Sequence, residues 1–261
     1  SCVPMNAIMN KTNNGKRLLA AFIAIAMVVC AIAVVSMPSA AEQTVPSDNT
    51  SGVVATPIAS EKDLMALDEN DDGVIEIDEA TVLNITGQIG SADTPVDVQF
   101  QLDADLKITG TGSLYVKATG ESTENVYTIH FTTTDSMFIV DGATVSLDVD
   151  GGKSNGTSVF NSQVPANLQT GVKVTNGATL NVYHSGSGTT WLAPTATGYV
   201  PYLIVDGNST VNFNGTHSIQ EIIVDADDAT INFTNVLVGP SICAGSDFNK
   251  SSLNVNGADL N

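Results

Sequence analysis

Phe138-Ile139-Val140-Asp141-Gly142-Ala143-Thr144-Val145-Ser146-Leu147-Asp148-Val149 reads as a short strand, a tight Asp-Gly corner and a second short strand. The unit returns at Val174-Thr175-Asn176-Gly177-Ala178-Thr179-Leu180, at Val205-Asp206-Gly207-Asn208-Ser209-Thr210-Val211 and at Val255-Asn256-Gly257-Ala258-Asp259-Leu260. A repeat this short cannot bury its own apolar face, so it must stack on copies of itself. The apolar residues placed before each corner are Ile77, Ile108, Val140, Val174, Val205, Val224 and Val255. They recur roughly every 31 residues, with one shorter step. An antiparallel sandwich turns more often and keeps no such register. Most intervals hold a third strand-like piece, such as Tyr127-Thr128-Ile129-His130-Phe131, Thr157-Ser158-Val159-Phe160 or Thr190-Trp191-Leu192. Three short strands per turn predict an all-β parallel β-helix solenoid over residues 75–261. Alternation assigns the faces: Ala178, Leu180 and Val182 point inward, while Thr179 and Asn181 point outward. Outward Thr210, Asn212, Thr230 and Asn232 are expected to stack in ladders that hold the register.

The N-terminal part has a different grammar. Lys11, Lys16 and Arg17 precede an uninterrupted apolar run from Leu18 to Val35, and small residues follow up to Ala41. Residues 1–41 therefore read as a secretory signal peptide, cleaved before Glu42, with an uncleaved N-terminal anchor helix as the competing reading. Residues 42–59, with Pro46, Pro57 and many Ser and Thr, read as a linker. Residues 60–74 read as a short helix, N-capped by Ser60, followed by an acidic loop. That helix is expected to cap the open end of the solenoid. The last unit breaks off at Leu260-Asn261, so a longer protein is expected, with any C-terminal anchor beyond Asn261.

The repeated Val-Asp-Gly-Ala-Thr-Val unit, behind a signal peptide and a Ser/Thr/Pro linker, resembles the adhesin-like cell-surface proteins of archaea and bacteria. The resemblance spans roughly residues 75–261 and implies a right-handed, pectin-lyase-like parallel β-helix. It also implies a structural or adhesive protein, extracellular or at the cell surface. Its partners would be glycans or surface proteins of a host or neighbouring cell.

Composition excludes several functions. Beyond Ala41 the chain has six lysines and no arginine against 28 acidic residues. That charge repels phosphate, so nucleic acid is not an expected partner. Membrane contact is expected only through the N-terminal segment or a missing C-terminal anchor. Cys2 and Cys30 lie in the leader, so Cys243 stands as a lone thiol and no internal disulfide is expected.

Two candidate sites emerge. Asp68-Glu69-Asn70-Asp71-Asp72-Gly73-Val74-Ile75-Glu76-Ile77-Asp78-Glu79 matches an EF-hand or dockerin calcium loop. Its ligands would be Asp68, Asn70, Asp72, Val74 through its carbonyl, and Glu79. Calcium needs about 6–8 oxygens on a sharply turning backbone, which this spacing supplies. The competing reading aligns Ile77-Asp78-Glu79 with the corner Val140-Asp141-Gly142 and leaves the acids solvated; no cofactor is then expected. The second candidate is aromatic: Tyr183, Trp191, Tyr199 and Tyr202 could stack on sugar faces, or merely cover the rod. Catalysis is not expected. A glycosidase needs two placed carboxylates. Asp148 and Asp150, and Asp225, Asp227 and Asp228, read as acids gathered at turns, with no arginine in support. His130, His184 and His217 are isolated, and His130 reads as facing solvent. Carbohydrate binding or polysaccharide processing stands as the alternative function. Sequons begin at Asn49, Asn84, Asn155, Asn208, Asn214, Asn232 and Asn249.

Overall fold

A computed structural model describes residues 47–152, 157–162, 170–184, 190–192, 202–206, 208–215, 217–219, 223–227, 229–234, 237–238, 243–244, 252–256 and 259–260. The expected signal or anchor segment lies outside these residues. Among the described residues, no helix is long and apolar enough to cross a membrane.

The described chain opens with strand β1 (Thr56–Ile58) and helix α1 (Glu61–Met65). It then coils. Each turn carries three strands, beginning with β2 (Val74–Ile77), β3 (Thr81–Ile85) and β4 (Gln88–Ile89). Next come β5 (Gln99–Leu102), β6 (Leu106–Thr109) and β7 (Ser113–Gly120), then β8 (Val126–Phe131), β9 (Met137–Asp141) and β10 (Thr144–Gly151). They are followed by β11 (Thr157–Ser162), β12 (Gly171–Thr175) and β13 (Thr179–His184), then β14 (Thr190–Leu192), β15 (Tyr202–Asp206) and β16 (Thr210–Gly215). The remainder is β17 (His217–Ile219), β18 (Ile223–Asp227), β19 (Thr230–Thr234), β20 (Leu237–Val238), β21 (Cys243–Ala244), β22 (Ser252–Asn256) and β23 (Asp259–Leu260). Corresponding strands of successive turns pair in parallel. The sheets run β1-β3-β6-β9-β12-β15-β18-β21, β4-β7-β10-β13-β16-β19-β22, β2-β5-β8-β11 and β14-β17-β20-β23. The protein is an all-β parallel solenoid.

Register follows from which residues must be dry. Ile75, Phe100, Ile129 and Phe160 lie opposite one another in the first four-stranded sheet, and all are buried. Ile108, Val140, Val174 and Val205 form the matching column of the eight-stranded sheet, each fully buried. A slip of one residue would turn every such column outward, so burial fixes the pairing.

The corner assignment holds for those four residues and fails for the other three. Val205 is opposite Ala226, which places Val224 two residues early. Ile77 pairs with Leu102 in a different sheet, and Val255 pairs with Phe233 in the seven-stranded sheet. The misassigned Ile77, Val224 and Val255 are each followed by Asp or Asn, as Val140 and Val205 are. The motif therefore marks a corner without saying which.

The segment expected as a linker is docked where the structure describes it. Strand β1 pairs with β3, and the backbone N–H of Asn49 donates to Asp105 Oδ2 at 2.7 Å. Lys107 reaches Asp48 at 2.9 Å. The Asp105 carboxylate also accepts from the Met137 N–H at 2.9 Å, so one buried side chain ties together the entry segment and two turns. Burial pushes that carboxyl above its ordinary range. Helix α1 starts on Ser60, whose hydroxyl accepts from the Asp63 N–H, and it buries Leu64 in the common core.

The outward ladder exists, and it is hydrogen-bonded. Asn181 Nδ2 donates to Ser146 Oγ at 3.1 Å, Asn212 Nδ2 to Asn181 Oδ1 at 2.8 Å, and Asn232 Nδ2 to Asn212 Oδ1 at 2.6 Å. Beside it runs a column of Thr144, Thr179, Thr210 and Thr230. Asn212 is an internal member, so Asn212→Ala should remove two hydrogen bonds of the ladder, one to Asn181 and one from Asn232. The expected loss is about 1–3 kcal/mol. Asn212→Ser should recover little of it, because the shorter side chain cannot span adjacent strands ~4.8 Å apart. Urea denaturation of the three proteins measures this.

Candidate functional site: the outer face of the seven-stranded sheet

Strands β7, β10 and β13 alternate, so Leu114, Val116, Val145, Leu147, Leu180 and Val182 point into the core, while Tyr115, Lys117, Ser146, Asp148, Asn181 and Tyr183 point out. On the outer face Tyr115 and Tyr183 stack, with ring centroids 5.9 Å apart and planes 11° from parallel. They come from strands two turns apart, with β10 between them. Beneath them Asp148 is 4% exposed. Lys117 lies 3.9 Å from Asp148 and 3.1 Å from Asp150. The Asn ladder continues the face from Ser146 onward. Burial, then the Asp148 carboxylate and the neighbouring Tyr183 ring, push the Tyr115 phenol up to about 12. Tyr115 therefore stays protonated and offers a neutral O–H. The hydrogen bond from Lys117 holds the Asp150 carboxyl below its ordinary range, although burial opposes it. Asp150 is thus a settled carboxylate and a poor proton donor.

Compared with protein-family models, curated proteins and solved structures, the chain matches none.

Three members of the expected aromatic set fall on strands of three different sheets. Tyr183 stands on β13 in the seven-stranded sheet, Trp191 on β14 in a four-stranded sheet and Tyr202 on β15 in the eight-stranded sheet. Tyr199 lies outside the described residues, as do the side chains of Trp191 and Tyr202. The reason is geometric: twenty residues carry the chain around corners of the coil, so neighbours in sequence go to different faces. Tyr115 was missed because it lies 68 residues before its partner. The outward parity of both strands was the available signal. Asp148 and Asp150 were placed at a turn, but both stand within β10; Asp225 and Asp227 stand within β18.

The acidic loop folds on itself. Asp68 is buried, and its carboxylate accepts from the N–H groups of Asp72 (3.3 Å) and Gly73 (2.8 Å). Asn70 Oδ1 accepts from the Asp72 N–H at 3.2 Å, and Asp72 Oδ1 from the Val74 N–H at 2.9 Å. Asp71 and Gly73 take the left-handed backbone that this tight loop requires. So Asp68, Asn70 and Asp72 share one loop, and Val74 opens β2. That extended strand carries Glu79, at the twelfth position, to the next corner, where it is exposed. Among the described residues, no three His, Cys, Asp or Glu side chains converge as a metal set. The residues present match the first half of a calcium loop and do not close the second. Because strand β2 carries Glu79 away to the next corner, millimolar calcium should leave the melting temperature unchanged. A rise would show that further oxygens complete the shell. Since Ile77 belongs to a different sheet from Val140, the corner alignment no longer competes for this loop.

A cleft of ≈ 540 Å³ beside the loop has Asp72, Asp97, Gln99, Thr119, Glu124 and Asn125 among its lining residues. Asp97 is held by the N–H and hydroxyl of Thr119.

His130 was expected in solvent and is instead buried. It lies on β8 between Gln101 and Asn161, with its ring 4.8 Å from that of Tyr127. Its Nε2 has no partner among the described residues, and burial pushes its imidazole below the ordinary value. The unfolded chain therefore binds a proton more readily than the folded one. Full stability is present above about pH 6.5 and declines as pH falls from there through the lower folded-state value. His130→Gln should flatten that decline, read as the difference in urea midpoint between about pH 7.5 and about pH 5.

Proposed function

We propose that this chain is a secreted or cell-surface, non-catalytic solenoid with a structural and adhesive role, contacting its partner through the outer face of the seven-stranded sheet. The observation that carries the proposal is the stacked Tyr115–Tyr183 pair, half-buried on a face that continues as a column of amides and hydroxyls. Stacked phenols offer an apolar surface with polar tips, and the column offers repeated donors and acceptors. Both suit a glycan or a polar protein surface. The acidic composition supports a partner without phosphate charge.

The tyrosine pair specifically favours the second reading, a carbohydrate-binding solenoid. Polysaccharide processing is less well supported: Asp150 is held as a carboxylate by Lys117, whereas a general acid needs a raised value. A glycan array probed with the wild type and with Tyr115→Ala/Tyr183→Ala tests this. Binding lost with the rings, at unchanged circular dichroism, supports the carbohydrate reading. A blank array alongside retained adhesion to cells points to a protein partner. Adhesion unchanged in the double variant overturns this face as the contact surface.

A further inference from the structure

The structure sorts the asparagine sequons by what the fold already asks of each amide. Transfer of a glycan to asparagine needs the amide nitrogen free and open to solvent. It also needs the chain bent enough for the hydroxyl two residues on to approach that amide. In an extended strand, side chains two residues apart stand about 6.6–6.8 Å from each other on the same face, so the approach is denied.

Asn84, Asn214 and Asn232 stand within β3, β16 and β19. Asn232 also gives its Nδ2 to the ladder. The Thr86 hydroxyl that would assist Asn84 lies against the Ile58 carbonyl. Asn49 donates its Nδ2 to the Ser47 carbonyl. Asn208 differs. It lies at the corner between β15 and β16, exposed and outside both strands, with φ of 60°, so the chain bends there. By register it occupies the place that Gly177 takes one turn earlier. A Cβ built on Gly177 meets nothing within 4 Å, so a side chain leaving this corner enters open space.

We infer that Asn208, in Asn208-Ser209-Thr210, is the N-glycan acceptor among the described sequons of the folded solenoid; Asn155 and Asn249 lie outside the described residues. The donor class is a lipid-diphosphate-linked oligosaccharide presented by an oligosaccharyltransferase. The Asn208 amide nitrogen forms a bond to the sugar C1 as the bond from C1 to the diphosphate oxygen breaks. The lipid diphosphate leaves, and the displaced amide proton goes to the enzyme's base. A glycan there projects from a corner and leaves the ladder and the tyrosine pair uncovered.

The test incubates the purified, folded chain with an oligosaccharyltransferase and its lipid-linked oligosaccharide, then maps occupancy by peptide mass spectrometry. Urea-unfolded chain is treated in parallel. The expected result is occupancy at Asn208 in the folded chain, absent in both Asn208→Gly and Thr210→Ala. Glycine keeps the left-handed corner, and the threonine variant keeps the asparagine. Occupancy at Asn208 in the unfolded chain alone overturns the inference, because the fold then hides the site. Transfer to Asn232 in the folded chain, or no transfer in either form, overturns it as well.

Discussion

Gly110→Ala is expected to be the most damaging addition of a single methyl group among the described glycines. Gly110 has φ of 110°, a backbone conformation that L side chains rarely adopt. Its added Cβ would overlap the Ile85 carbonyl oxygen and crowd the Asn84 side chain of the neighbouring turn. That oxygen cannot retreat freely, because it accepts the Gly112 N–H at 2.9 Å. Backbone strain costs about 1–3 kcal/mol, and overpacking against fixed atoms adds about 1–3 kcal/mol. Gly177→Ala separates the two contributions: its φ of 75° is also positive, yet its Cβ meets nothing within 4 Å. It should therefore show strain without overlap. Midpoints of chemical denaturation for the two variants measure the difference. Equal losses would show that the close approach at Gly110 relaxes at no cost.

Phe100→Ala is the second large effect. Phe100 is fully buried between Ile75 and Ile129, with Phe160 one turn further along the same column. Removing a buried phenyl ring costs about 3–5 kcal/mol, with the upper end reached where the walls cannot collapse. Here the walls are backbone ladders, which hold adjacent strands at a fixed spacing. Each turn of a solenoid touches only its neighbours, so the damage should be local. Hydrogen exchange should speed up in β2, β5 and β8 and remain slow in β12 and β13. Uniform acceleration along the chain would show that the solenoid unfolds as one unit.

Much of the architecture was legible because core burial writes a period into the sequence. Thr179-Leu180-Asn181-Val182 gives inside and outside directly, and the columns through Ile108, Val140, Val174 and Val205 follow from spacing. Assigning a motif to a particular corner was beyond reach, as Ile77, Val224 and Val255 show, because an apolar residue followed by Asp or Asn recurs at more than one corner. The docked segment before β1 was also hidden. Its attachment rests on Asp105, an acid in a polar-looking run whose two oxygens find N–H groups only after the coil has closed. Of the candidate site, Tyr183 could be read and Tyr115 could not, since the stacking crosses an intervening strand. His130 misled because alternation predicts direction, and direction is not exposure.

The Asn ladder has a further electrical consequence. Each amide donates toward the preceding turn and accepts from the following one, so the side-chain dipoles from Asn181 to Asn232 all point the same way along the solenoid axis. Hydrogen bonds in such a row polarise one another. Aligned amides sum to a fractional positive charge at one end and a fractional negative charge at the other, as they do in a helix. The donor end points at Ser146 on β10, the strand that carries Asp148 and Asp150. A column that merely kept strands in step would serve equally well in either direction. This one has its positive end at Ser146, two residues along β10 from the Asp148 carboxylate beneath the tyrosine pair.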